Sequence, residues 1–251
     1  MNAVLFVVLF TLASDAWAQN ARTLIEDSLR RHAPPAHVYQ EQTLILSDSL
    51  GQHTVRTARF YERNDASGDK RLLVIDTPAD LRGAAVFVAR DAQGGGRRGP
   101  DPSSPVFGSD YSVADFEGEQ PGDFDYELED SQDLDRVSHH VLRVTPRDTA
   151  VSLATGYGVR LIFLRKDNLY VSRVDYLDRQ GRLAKRRTFR NPRPDASGAW
   201  EAGMVLTEDL LENRRTLIKV ERRVHSADYV PDAVFEGLRE GLRAGTRAGL
   251  R

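Results

Sequence analysis

The stretch Tyr157-Gly158-Val159-Arg160-Leu161-Ile162-Phe163-Leu164, followed by Leu169-Tyr170-Val171-Ser172-Arg173-Val174-Asp175-Tyr176-Leu177-Asp178, decides the fold. Apolar and charged side chains alternate with a period near two, which is the spacing of a half-buried β-strand rather than of a helix. Asp178-Arg179-Gln180-Gly181 is a short hairpin turn, and Leu183 to Arg190 reads as the returning strand. Working outward, the same period recurs over Val38–Leu46, His53–Arg63, Arg71–Asp76, Ala84–Arg90, Asp125–Glu129, His139–Thr145, Trp200–Leu206 and Arg215–Val224. Turn material such as Asp48-Ser49-Leu50-Gly51 and Thr77-Pro78 separates these runs. Helical spacing is found at two places. Leu24, Ile25, Ser28 and Leu29 share one face over Ala21–Ala33, which Pro34-Pro35 terminates, and Tyr229–Leu238 closes the domain with Pro231 near its start. The expected fold class is α+β: a meander of about ten strands in one strongly curved antiparallel sheet, forming an open half-barrel capped by helices.

Alternation divides the strands into faces. His140, Leu142 and Val144 share one, as do Val159, Leu161 and Phe163, then Tyr170, Val174 and Tyr176, and finally Trp200, Met204 and Leu206. With Arg143, Arg160, Arg173 and Glu201 turned outward, the concave side is expected to carry Val86, Val88, Leu142, Val144, Leu161, Phe163, Tyr170, Val174, Tyr176, Trp200, Met204 and Leu206. These are the candidate lining of an apolar binding cavity.

The chain has 251 residues and a formal net charge of −2. Such a balance favours neither nucleic acid nor an anionic membrane surface. Its beginning reads as a signal peptide over residues 1–18. The apolar run Ala3–Ala13 is too short to span a bilayer, and Ala16-Trp17-Ala18 places cleavage before Gln19, although Asn2 leaves the n-region without a base. The expected organisation is a single domain over 19–238 and a flexible basic tail over 239–251, where a repeated Gly-Leu-Arg-like unit places arginines on one helical side but carries glycines that weaken a helix. No second apolar run is long enough for a membrane helix. Cysteine is absent, so disulfides, thiol catalysis and a lipid-modified N-terminal cysteine are excluded.

Three motifs suggest chemistry and are better explained otherwise. Gly94-x-Gly96-x-x-Gly99 has dinucleotide-binding spacing, but Pro100, Pro102 and Pro105 follow where a helix would have to start. His139-His140 would point to opposite faces of a strand, and no other histidine has ligand spacing, so no metal and no cofactor are expected. Ser109–Asp135 carries eleven acidic residues and no Lys or Arg, which reads as a solvated, mobile face rather than a calcium loop. No Gly-x-Ser-x-Gly elbow is present. A carboxylate pair within the acidic block remains the one enzymatic alternative.

Four stretches together resemble the LolA-like outer-membrane lipoprotein-sorting family. They are Asp76-Thr77-Pro78-Ala79-Asp80-Leu81-Arg82-Gly83, Phe107-Gly108-Ser109-Asp110-Tyr111-Ser112 with Asp115-Phe116, Arg215–Val220, and Val230-Pro231-Asp232-Ala233-Val234-Phe235. The resemblance implies an incomplete antiparallel barrel capped by helices. It further implies a monomeric periplasmic carrier, not an enzyme, that shields a lipid or lipoprotein acyl chain between an inner-membrane lipid exporter and an outer-membrane acceptor. Gly108, Ser109, Asp110, Tyr111, Ser112 and Asp115 are expected to form a structural corner, Asp110 and Ser112 through local hydrogen bonds to the backbone. Asp91–Pro105 departs from the family: it is rich in Gly and Pro where a strand is usual, so either a strand is lost or a loop lies over the cavity. The alternative function is a non-carrying interaction module with a filled core that docks an exporter.

Overall fold

The computed structural model describes residues 20–92, 96–156 and 158–236. It begins with helix α1 over residues 20–31, which ends before Pro34-Pro35. Then follow β1 (His37–Ser47), β2 (His53–Asp65), β3 (Gly68–Thr77), β4 (Ala85–Asp91) and a two-residue β5 (Arg97–Arg98). A long crossing segment holds the short helix α2 (Val113–Glu117). Beyond it come β6 (Phe124–Leu134), β7 (Val137–Pro146), α3 (Thr149–Thr155), β8 (Val159–Arg165), β9 (Val171–Leu177) and β10 (Leu183–Arg190). A small ribbon of β11 (Arg193–Pro194) and β12 (Trp200–Glu201) precedes β13 (Met204–Asp209) and β14 (Arg214–Val224). The expected signal peptide and tail lie outside the described residues, as does the end of the expected closing helix. Within Tyr229–Leu238 only residues 233–236 are helical, after a 3-10 turn at Ala227–Tyr229.

Twelve strands form one antiparallel sheet in the order β5-β4-β3-β2-β1-β14-β13-β10-β9-β8-β7-β6. Neighbours in sequence are neighbours in space almost throughout, because tight turns join them. At the β9–β10 turn, Asp178 Oδ1 accepts from the N–H groups of Gln180 and Arg182, and Gly181 supplies the positive φ of 76°. Gly68 opens β3 where a Cβ would lie 1.9 Å from the Arg90 carbonyl oxygen, so no other residue fits. The first and last strands, β1 and β14, pair in the middle of the sheet, with Tyr39 opposite Val224 and Ser47 opposite Arg215.

One face of the sheet, the inner face, bears α1 and the α2 segment. Under α1, Ala21 and Ile25 pack on Tyr126, Leu142, Val144, Ile162, Leu164, Val174 and Tyr176. Under the α2 segment, Val106, Val113 and Phe116 pack on Leu44, Leu73, Ile75, Val86, Val88 and Ile218. A third cluster joins Tyr39, Tyr61 and Leu72, on the outer face of β1–β3, to Val230 and Phe235 of the closing segment.

Two strands have the opposite parity to that expected. On β8, Ile162 faces α1, so Leu161 and Phe163 belong to the outer face. The rule that charges point outward fails here because Arg160 turns inward and finds Glu119 at 2.7 Å. Phe163 is still only 1 % exposed, since the guanidinium carbon of Arg173 lies 3.9 Å above its ring. On β13, Val205 pairs with Ile218 on the inner face, which sends Met204 and Leu206 outward. The expected strand Trp200–Leu206 is broken at Ala202-Gly203, so the parity read from Trp200 does not carry through.

Candidate functional site

Between α1, the α2 segment and the inner face lies a cavity of about 420 Å³. Ile25 and Leu29 of α1, Ile162, Val174 and Phe189 of the sheet, and Val205 with Ile218 give it apolar walls. Of the twelve expected lining residues, Tyr170, Val174, Tyr176 and Trp200 line this space. Val86, Val88, Leu142 and Val144 are on the same face but lie in the flanking cores beneath the α2 segment and α1. Leu161, Phe163, Met204 and Leu206 are on the other face, as described above. At one end Trp200 and Tyr170 pack with centroids 6.0 Å apart, and His32 fastens α1 there. Its Nε2–H donates to the Asn168 carbonyl (2.9 Å) and its Nδ1 accepts from the Trp200 N–H (3.0 Å). Burial lowers the His32 pKa and keeps the neutral ring that these two bonds require.

The other end is built by the crossing segment. Phe107 and Gly108 both have positive φ, turning the chain so that Ser109–Asp115 runs into the sheet's inner face. Ser112 caps α2: its hydroxyl accepts from the Asp115 N–H, while Asp115 Oδ2 accepts from the Ser112 N–H (2.9 Å) and hydroxyl (2.8 Å). Ser112 therefore makes local bonds as expected. Asp110 does not, and is the correction: its carboxylate accepts from Thr216 Oγ1 of β14 (2.9 Å), its N–H donates to the same oxygen, and Arg214 is 3.4 Å away. Strand geometry placed Thr216 on the inner face, where turn chemistry could not anticipate it.

The solvated face expected of the acidic block is overturned in its first half. Asp115, 6 % exposed, accepts from Tyr176 Oη (2.7 Å) and Arg187 Nη1 (3.2 Å) and is ion-paired with Lys185. Glu117, 8 % exposed, pairs with Arg90 and Arg97. Glu119 accepts from Tyr126 Oη (2.5 Å) and both terminal nitrogens of Arg160. Burial would raise the Asp115 carboxyl, but Lys185 and Arg187, with hydrogen bonds from Lys185 and Tyr176, hold it well below the usual carboxylate range. Burial next to that carboxylate pushes the Tyr176 phenol up. Sequence reading missed Lys185, Arg187, Arg160 and the Glu62–Arg71 pair (2.7 Å). One signal was present: Lys185 and Arg187 are two apart on a strand, so both must share a face.

These groups form a buried network of ion pairs and hydrogen bonds that is incomplete at Arg187, whose Nε has no partner among the described residues. The segment Asp91–Pro105 proves to be partly strand: Arg97-Arg98 pairs with Ala89 and Arg90, and Arg97 then reaches Glu117. Outside the cavity, Asp195, Glu201 and His225 bring ligand atoms within 4.8 Å of one another, with Arg223 also on Glu201 at 3.2 Å. His139 donates or accepts within the sheet, to Val137 O and Ser172 Oγ.

This architecture is matched by known structures. A domain described as a candidate outer membrane lipoprotein-sorting protein from Vibrio parahaemolyticus superposes with a TM-score of 0.78 at 17 % identity, covering 88 % of this chain and 98 % of that one. A DUF1329 family protein from Desulfovibrio piger gives 0.74 at 20 % identity, over 87 % and 98 %. The LolA superfamily protein NE2245 from Nitrosomonas europaea gives 0.64 at 16 % identity, over 86 % and 96 %. A family profile with the description "-like: Uncharacterized protein" matches residues 67–237. The chain belongs to that family, and its fold is similar to that of the LolA superfamily structure. No curated protein matches the sequence. Among the described residues no helix is long and apolar enough to cross a membrane.

Proposed function

We propose that this protein is a soluble periplasmic carrier that shields a lipid or a lipoprotein acyl chain, without catalysis, on its way from an inner-membrane exporter to an outer-membrane acceptor. In this reading residues 1–18 direct export and are removed, and the sheet works as a half-barrel with α1 and the α2 segment over its mouth. The observation that carries the reading is the unfilled cavity of about 420 Å³ between apolar walls of α1 and the sheet. That size falls in the range of about 300–1,000 Å³ typical of ligand sites and suits one chain better than several. A docking module with a filled core has no use for such a space. Each CH₂ removed from water contributes about 0.8 kcal/mol, so burial alone supplies affinity and no reactive group is needed. The LolA-like fold supports the reading at the level of architecture.

The test is native mass spectrometry and lipid extraction of protein recovered from a periplasmic extract. Co-purified lipid, lost when Val174 at the cavity wall is replaced by Lys in a folded variant, supports the carrier. Repeated recovery of ligand-free protein, with no uptake of a fluorescent fatty acid, would turn the assignment to a docking module.

A further inference from the structure

The cavity is apolar on its walls but not at the α2 end. There Lys185, Arg187, Arg71 and Arg160 face the carboxylates of Asp115, Glu62 and Glu119, and Asp110 also acts on Lys185 from the β14 side. Arg71 is matched with Glu62, and Arg160 with Glu119, whereas Asp115 serves both Lys185 and Arg187. The Arg187 guanidinium is clamped flat, its carbon 5.0 Å from the Tyr111 ring and 5.1 Å from the Phe189 ring. Only Nη1 is engaged, with Asp115 (3.2 Å) and Tyr176 (3.3 Å). Nε is buried without a partner among the described residues.

The Nε–Nη2 edge of an arginine is a fork that matches two oxygens of a carboxylate or phosphate. That edge is filled at two arginines of this sheet, whereas at Arg90, Arg173 and Arg223 Nε is buried without a partner but Nη2 is bonded. Arg165 holds Asp167 at 3.0 and 2.6 Å, and Arg186 holds Asp175 at 2.7 and 3.0 Å. Arg187, next in sequence to Arg186 and a lining residue of the cavity, presents the same edge to no protein carboxylate.

We infer that the cavity selects a single-chain amphiphile with an oxyanion head, the head seated on the Nε–Nη2 edge of Arg187 and the tail running between α1 and Ile162, Val174 and Val205. The inference rests on the carrier reading and narrows its ligand. Carboxylate and phosphate heads share the required pair of oxygens. Binding also gives Arg187 a carboxylate-like partner that Asp115, shared with Lys185, supplies only in part.

The experiment is calorimetric titration of the full-length mature protein, below micelle concentrations, with ligands of one tail and different heads: dodecanoate, dodecyl phosphate, dodecanol and dodecyltrimethylammonium. Dodecanoate or dodecyl phosphate should bind at least tenfold more tightly than dodecanol, and the ammonium more weakly still. The ratio between the two anions tells the carboxylate from the phosphate source. In Arg187→Gln the anion advantage should fall to within about twofold while dodecanol affinity is kept. Equal binding of dodecanoate and dodecanol by the native protein overturns this inference and leaves the carrier intact. Failure of all four to bind overturns the carrier reading with it. Should Arg187→Gln not fold, the head-group comparison on the native protein decides alone.

Discussion

Asp115 is the residue on which the crossing segment turns. Its carboxylate is reached by the Ser112 N–H and hydroxyl, Tyr176, Lys185 and Arg187, so removing it takes a shared buried acceptor from two cations and a phenol. Breaking one partner of a buried ion pair costs about 3–5 kcal/mol. Asp115→Ala is therefore expected to lose that much in urea denaturation, and a loss under about 1 kcal/mol would contradict the network. The sign of the pH dependence follows. The folded carboxyl titrates below its unfolded counterpart, so its contribution is present above about pH 4 and drains away as pH falls toward the folded value. Native protein should lose stability on acidification through that window, and the share owed to this group should be missing from Asp115→Asn. Asp110 behaves differently. Its bonds to Thr216 are few and burial raises its pKa, so Asp110→Ala should cost only about 1–2 kcal/mol and change dodecanoate affinity by less than twofold. A large change in affinity with little change in stability would make Asp110 a ligand contact.

Among the elements, the β6–β7 hairpin offers a clean test of turn chemistry. Leu134 pairs with Val137 across the two-residue loop Asp135-Arg136, and both loop residues have positive φ, at 50° and 66°. A type I′ turn of this kind favours glycine at its second position, and an L-residue there costs about 1–2 kcal/mol. Arg136→Gly should raise the melting temperature, with a net gain of about 0.5–1 kcal/mol once glycine's entropy is subtracted. An unchanged or lowered midpoint would show that Arg136 makes a compensating contact. The same element level shows what the sequence reveals. Period-two alternation located strands such as Leu183–Arg190 to the residue, and helical spacing with Pro34-Pro35 located α1. Face was legible only where apolar and charged positions separate cleanly, as at Tyr170, Val174 and Tyr176. It was illegible at β8, because an inward Arg160 is compensated by Glu119 some forty positions away, and no local pattern carries that information. It was lost at β13 because the break at Gly203 resets the count. α2 was hidden for a third reason: five residues are too few to display a helical period, and its capping box lies within a motif read as a turn.

On the scale of the whole molecule, the cavity is a large departure from close packing between helix and sheet among the described residues. Filling it should separate binding from folding. Val205→Trp adds bulk at the cavity wall, and dodecanoate affinity is expected to drop more than tenfold while the denaturation midpoint stays level or rises, as cavity-filling substitutions commonly do. A fall in the midpoint with affinity preserved would mean that the space is not where the ligand sits.

The strand order carries a consequence for time rather than for binding. Since β1 is seated between β2 and β14, the sheet's middle seam joins the two extremes of the chain, Tyr39 opposite Val224. A polypeptide that emerges amino-end first can zip β1 through β4 early, but that half keeps a bare seam until nearly everything else has been delivered. Loop closure over such a span is entropically expensive, and folds dominated by distant pairings acquire their structure slowly. The newborn chain must therefore pass through an interval in which β1 offers unpaired backbone to any passing strand, and its safety during that interval depends on whatever escorts it or on the speed with which β14 arrives.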